Sequence, residues 1–177
     1  MPQGVARRDG TCVTKRSLLV VKYGGAAMTD VAARNDVASA LRAARNAGHD
    51  LVVVHGGGPA IGQALAAAGI ANEFVDGRRV TTPCAIPVVE AALTLLGKQL
   101  AQELGDAIGL TGRDACLLVA EPLEPALGRV GIVRAVRNDR LEALLSVGLT
   151  PVVASLALDE LGEPLNVNAD EAGGAVA

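Results

Sequence analysis

Aromatic residues are almost missing from this chain: in 177 positions there is no tryptophan, and Tyr23 and Phe74 are the single tyrosine and phenylalanine. Single-stranded nucleic acids are held by stacking bases on aromatic rings, so this composition argues against a nucleic-acid partner. Excess positive charge is missing too, and a formal net charge of −3 supplies no overall field for a polyanion. Cysteine is scarce and odd in number. Cys12, Cys84 and Cys116 lie far apart and form no Cys-x-x-Cys pair, which argues against a disulfide framework or a zinc site. They are expected to be reduced, as small apolar fillers in a cytoplasmic protein. No long apolar run occurs either: the "LLVV" that follows the basic N-terminus is too short for a signal-peptide core or a membrane span. No membrane partner is expected, and residues 1–17 read as a flexible basic tail.

Half of the residues are apolar, nearly all of them Ala, Val, Leu and Ile, which suffices for the core of one domain over residues 18–177. "SLLVVKYGG" (17–25) and "DLVVVHGGG" (50–58) are continuous apolar runs closed by glycines, as expected for parallel strands covered on both faces. Between them Val31, Val37, Leu41 and Ala44 can share one helical face, completing a βαβ unit. "PAIGQALAAAGI" begins with Pro59 at a favoured first helical position. "NEFVDGRRVTTP" (72–83) is dense in turn chemistry and reads as a loop or short hairpin. A helix is expected where Val89, Leu93, Leu96, Leu100 and Leu104 recur at three or four. "DAIGLTG" and "ACLLVAE" read as strands, "LGRVGIVRAV" as a β segment, "NDRLEALLSVGL" as a helix capped by Asn138 or Asp139, and "TPVVASLAL" as one further strand. The terminal "NVNADEAGGAVA" reads as the start of a helix. The alternation predicts an α/β fold throughout.

Ligands of α/β sheets bind at the carboxyl ends of strands, where a helix begins and backbone N–H groups lack partners. Glycine there lets an oxyanion approach without a Cβ in the way, and the helix dipole favours negative charge. The "HGGG" junction therefore suits a phosphate or carboxylate. It is not a dinucleotide fingerprint, because Ile61 stands where the third glycine is required, nor a P-loop, because Gln63 and Ala64 replace the lysine and hydroxyl. Lys22 ends the first apolar run beside Gly24 and Gly25, where a cation can meet a transferring phosphoryl group. Arg78 and Arg79 offer a guanidinium suited to a carboxylate. Asn166, Asn168 and Asp170 supply two amides and an acid that can orient a substrate and a lysine, or simply cap a helix. His55 has no nucleophile motif beside it, and a structural hydrogen-bonding role is expected. No cluster of His, Cys and carboxylates has metal-ligand spacing.

Taken in order, "VVKYGGAAM", "VVVHGGGPAI", "DGRRVTT" and "NVNADEA" resemble the acetylglutamate kinases of the amino acid kinase family, and the resemblance runs from about Leu18 to the last residue. It implies an αβα sandwich around a mainly parallel sheet, and transfer of the ATP γ-phosphoryl group to the side-chain carboxylate of N-acetyl-L-glutamate in arginine biosynthesis. By position, Lys22 resembles the lysine that stabilises the transferred group and Asp170 the aspartate that organises it. Gly24 and Gly25 resemble the backbone meeting the phosphates. Gly57, Gly58, Arg79 and Asn166 resemble the residues that hold the acid, with Arg79 on its α-carboxylate. ATP is expected with Mg²⁺ that arrives on the nucleotide, with no protein metal site. The resemblance also implies a homodimer or higher homo-oligomer. The family chain continues past its "NADEA" helix into a nucleotide-binding half with a second catalytic lysine, so the 177 residues correspond to the substrate-binding portion. A substrate-binding or oligomerisation remnant without activity, and a kinase for an aminoadipate-type acid in lysine biosynthesis, are the alternative readings.

Overall fold

The computed structural model describes residues 16–24, 28 and 30–177. Four strands, β1 (Leu18–Tyr23), β2 (Asp50–His55), β5 (Ala107–Thr111) and β8 (Thr150–Ala154), form one sheet in the order β1-β2-β8-β5. Every pairing in it is parallel, with Tyr23 opposite His55, His55 opposite Ala154 and Thr111 opposite Ala154. The carboxyl ends of all four strands are therefore level, and this shared edge is where an α/β sheet offers a binding crevice.

The continuous apolar runs are explained by burial on both faces. Leu51, Val53 and Val152 pack with Leu41 of α1 (Val31–Asn46) and with Leu96 and Leu100 of α3 (Ile86–Leu104). Their alternates Val52, Val54 and Val153 pack on the opposite side with Leu141 of α4 (Asn138–Ser146) and with Ala172 and Val176 of α5 (Ala169–Val176). Successive strand residues face opposite layers, so a β run between two apolar layers must be apolar at every position. The expected αβα sandwich with a parallel sheet is thus present. In α3 all five residues of the expected stripe are buried. Val89 and Leu93 also meet Ile61 and Leu65 of α2 (Gly58–Ala67). Truncating one such leucine to alanine costs about 2–5 kcal/mol.

A second β unit was not legible in the sequence. Strands β6 (Leu118–Pro122), β7 (Val130–Val136), β9 (Leu156–Leu158) and β10 (Pro164–Val167) close into a small barrel in the order β10-β7-β6-β9. Its pairings are mixed: β6–β7 and β9–β10 are antiparallel, β7–β10 and β6–β9 parallel. Consequently "TPVVASLAL" is two strands in two sheets. The break is Ser155, whose N–H donates to the His55 carbonyl at 3.0 Å while its own carbonyl accepts from Val167 N–H at 3.2 Å. One apolar run thus leaves the parallel sheet and enters the barrel without a turn residue to signal it.

Other expectations are corrected. Val31, the first residue of α1, is exposed, whereas Leu41 is buried with Ala38, and Val37 and Ala44 are partly buried against the same cluster. Helix α4 is not capped by Asn138 or Asp139; its N-cap is Arg137 with no side-chain cap, and Asp139 pairs with Arg140 instead. The strand expected from Ala115 begins at Leu118, since Ala115 and Cys116 have φ of 51° and 53° in a short 3-10 turn. Cys84 and Cys116 are exposed rather than core fillers, each lying in a turn at the protein surface. Cys12 lies outside the described residues. Among the described residues no helix is long and apolar enough to cross a membrane.

Candidate active site

At the carboxyl edge of the sheet a cleft of about 230 Å³ opens between the end of β1, the start of α2, the hairpin of β3 (Phe74–Val75) and β4 (Arg78–Arg79), and the β10–α5 junction. Lys22, Gly24, Gly57, Gly58, Arg79, Asn166 and Asp170 all line it, although they come from four separate stretches of sequence. Gly25 lies outside the described residues.

Strand β1 carries Lys22 to the cleft, where its Nζ meets Asp170 Oδ1 at 2.9 Å. Asp170 sits in the first turn of α5, whose N-cap is Asn168; the Asn168 Oδ1 accepts from the backbone N–H of Asp170 at 2.7 Å and of Glu171 at 3.3 Å. Asn168 is therefore a helix cap. Helix α2 differs. Its N-cap is Gly57, with no side-chain cap, so its first backbone donors face the cleft without a protein acceptor on a side chain. Of the two helix starts at the cleft, α2 is the one left able to receive an anion.

The three glycines have different reasons. None is held at positive φ, so backbone freedom does not explain them. A Cβ on Gly57 would come within 3.0 Å of Leu93 and 3.2 Å of Leu96, and one on Gly56 within 3.1 Å of the Ala169 Cβ. A Cβ on Gly58 would meet nothing within 4 Å, and this glycine lines the cleft. A Cβ at either of the first two would crowd a packed neighbour, whereas the third leaves open space at the cleft.

Arg79 is brought in by a two-stranded hairpin, β3 (Phe74–Val75) and β4 (Arg78–Arg79), turned by Asp76 and Gly77 at φ of 48° and 76°. An Asp-Gly pair with both residues at positive φ is the favoured two-residue hairpin turn. The Arg79 side chain is buried, and it donates to Gly58 O at 3.0 Å and to Asn72 Oδ1 and stacks over the Phe74 ring at 4.7 Å. No carboxylate pairs with it among the described residues. Burial depresses its pKa, with no opposing anion to offset the effect. A guanidinium without an opposing carboxylate beside an open cleft has the charge and geometry to receive an anion. Arg78 does have a partner: Glu171 of α5 accepts from it at 2.5 Å, and this bond raises the Arg78 pKa. The pair ties the hairpin to α5. Glu171, Asn72 and Phe74 were not singled out from the sequence; Glu171 lies inside "NADEA", but only the fold shows that it faces Arg78.

His55 is fully buried behind the glycines. Its Nδ1 donates to Gly56 O at 2.9 Å, and Nε2 has no hydrogen-bond partner, because Gly97 of α3 covers it so closely that a Cβ there would lie 2.8 Å away. Desolvation lowers its pKa, and the ring is held neutral. Among the described residues no three His, Cys, Asp or Glu side chains are placed to hold a metal ion.

The comparisons with known proteins agree with this architecture. The model of the amino acid kinase family matches residues 17–177. An acetylglutamate kinase of Deinococcus radiodurans is 57% identical over 159 residues, covering 90% of this chain and 64% of that protein. One from Geobacillus stearothermophilus is 42% identical over 165 residues, covering 90% and 63%. The present chain thus spans somewhat under two thirds of the length of these relatives. Among solved structures, that of smu.665 from Streptococcus mutans UA159 superposes with a TM-score of 0.82 at 32% identity, over 90% of this chain and 67% of that one. With the family match running over residues 17–177 and a relative 57% identical over 90% of the chain, the chain belongs to the amino acid kinase family.

Proposed function

We propose that the cleft binds N-acetyl-L-glutamate and that the chain belongs to an ATP-dependent acetylglutamate kinase, which phosphorylates the side-chain carboxylate of that acid. The observation that carries this reading is Arg79, a buried guanidinium with only neutral protein partners, directed at an open cleft. Its planar fork fits the α-carboxylate of an amino acid derivative, whose charge it balances. The uncapped start of α2 and the bare Gly58 accommodate the remaining polar atoms of the acid, and Asn166 completes its binding site. The relatives' shared name, acetylglutamate kinase, supports the choice of acid over an aminoadipate-type substrate.

The chemistry asks little of the protein beyond position and charge. The attacking carboxylate is already ionised at neutral pH, so no general base is needed, which suits a cleft without a free histidine. MgATP supplies the γ-phosphoryl group when bound. Lys22 places its ammonium against the charge that builds on the transferring oxygens, and Asp170 holds that ammonium in place. Gly24 leaves the Lys22 ammonium uncrowded, since a Cβ there would lie 3.2 Å from Nζ. Gly25 is assigned to the phosphates by its place in the sequence motif alone. Mg²⁺ arrives with the nucleotide; the reaction serves arginine biosynthesis in the cytoplasm, in a homodimer or higher assembly.

Calorimetric titration of the 177-residue chain with N-acetyl-L-glutamate, with and without MgATP, tests the proposal. Binding of the acid is expected, and absence of binding at millimolar concentration would refute the assignment of the cleft.

A further inference from the structure

Between Arg79 and Asn166 stands a residue whose chemistry neither of them explains. Thr81 is completely buried, its hydroxyl donates to the Arg79 carbonyl at 3.1 Å, and the same oxygen receives Nδ2 of Asn166 at 3.1 Å. A hydroxyl has one proton, and a carbonyl can only accept, so that proton is committed to Arg79. Toward Asn166 the Thr81 oxygen can then act only as an acceptor. This settles which end of the Asn166 amide faces inward: the NH₂ points at Thr81, and Oδ1 is left for the cleft. Among the described residues no protein donor reaches Oδ1.

The backbone makes the relay rigid independently of the hydroxyl. Thr81 N–H donates to Leu127 O at 2.9 Å and Thr81 O accepts from Arg129 N–H at 2.6 Å, so the residue is bridged to the segment around Gly128. Arg129 O in turn accepts from the Asn166 N–H at 3.0 Å. The hairpin that carries Arg79 and the strand that carries Asn166 are therefore set on one frame, and the Thr81 hydroxyl adds the orientation of the amide.

We propose that Thr81 is a positioning residue that fixes the Asn166 amide with Oδ1 toward the cleft, so that the site selects acids bearing an N–H donor next to the carboxylate held by Arg79. The selectivity part rests on the reading of the cleft as an N-acetyl-L-glutamate site. An acylated α-amino group supplies that donor, whereas glutarate, with the same two carboxylates and no amide, does not. A site that holds a polar group for a ligand N–H discriminates against the analogue that lacks it, because the acceptor is then left unpaired.

The experiment has two arms. In ¹⁵N-labelled protein, the side-chain NH₂ signals of Asn166, assigned by their loss in Asn166→Ala, are followed for hydrogen exchange in wild type, Thr81→Val and Thr81→Ser. Slow exchange is expected in wild type and Thr81→Ser, and fast exchange in Thr81→Val. In the second arm, affinities for N-acetyl-L-glutamate and glutarate are measured by calorimetry. Thr81→Val is expected to reduce the preference for the acylated acid by about tenfold, and Thr81→Ser to retain it. Unchanged Asn166 exchange in Thr81→Val would overturn the positioning role even if no acid binds. Altered exchange with an unchanged preference would overturn its link to selectivity. A wild-type protein that binds neither acid would overturn the site assignment and the selectivity with it, while the exchange arm still decides the positioning. Should Thr81→Val fail to fold, Thr81→Ala replaces it.

Discussion

Lys22 Nζ lies 2.9 Å from Asp170 Oδ1, joining the end of the first strand to the first turn of the last helix. Both side chains are well exposed, at 38% and 72%, and an ion pair in that position adds little to stability. Its effect is to hold an ammonium over the cleft. Asp170→Asn and Lys22→Ala are therefore expected to melt within about 2 °C of the wild type. Acyl-phosphate formation in the presence of MgATP, trapped with hydroxylamine, should fall in Lys22→Ala by on the order of 10²-fold in kcat with a far smaller change in KM. An equal kcat in that variant removes Lys22 from the chemistry.

Gly57 and Gly58 are adjacent and should respond in opposite ways to alanine. Gly57→Ala forces a methyl against Leu93 and Leu96 and is expected to destabilise by about 1–3 kcal/mol. Gly58→Ala meets no neighbour and adds a better helix former at the start of α2, for a gain of up to about 1 kcal/mol. That more stable variant should nevertheless bind N-acetyl-L-glutamate more weakly, because its methyl occupies the cleft. Urea unfolding and calorimetry on the two proteins check the pair of outcomes; unaltered affinity in Gly58→Ala would show that the third glycine does not face the ligand.

Arg79→Lys keeps the charge and removes the fork, the bond to Gly58 O and the stacking on Phe74. A loss of affinity for the acid of about tenfold or more is expected, since a bidentate site does not accept lysine as an equivalent. In wild type, saturating acid at about 100 times its Kd should stabilise the fold by about 2.7 kcal/mol, read as a rise in Tm. A Tm shift that survives intact in Arg79→Lys would place the carboxylate elsewhere.

His55 predicts a pH dependence of stability. Its pKa is lowered in the folded protein from an ordinary value of 6.5, because protonation would put a charge on Nε2 under Gly97 with no acceptor in reach. Above about pH 6.5 both folded and unfolded chains carry a neutral ring and the full stability is present. As pH falls below that, the unfolded chain takes up a proton that the folded chain refuses, so stability declines until the lowered folded value is reached. Unfolding free energies measured from pH 7.5 down to 5 should show this loss in wild type and a shallower one in His55→Gln. Identical slopes would mean that another group controls the acid limb.

The parallel sheet, most of the helices and several of the residues that line the cleft were legible in the sequence. Unbroken apolar runs such as "LVVV" occur only where both faces of a strand are covered, the five-residue stripe of α3 obeys the helical period, and Asp76-Gly77 can turn a hairpin at positive φ. Lysine, arginine and glycine at strand ends marked the cleft because a charge, or a missing side chain, is out of place there unless something polar approaches it. What tertiary structure alone decided were relations between distant residues. Nothing local distinguishes Ser155 as the point where one apolar run changes sheets, Glu171 as the partner of Arg78, or Thr81 as the hydroxyl that turns the Asn166 amide. Local patterns fix which surfaces are buried, whereas hydrogen-bond partners depend on which buried surfaces meet, and that is settled only when the two sheets and their helices close on one another.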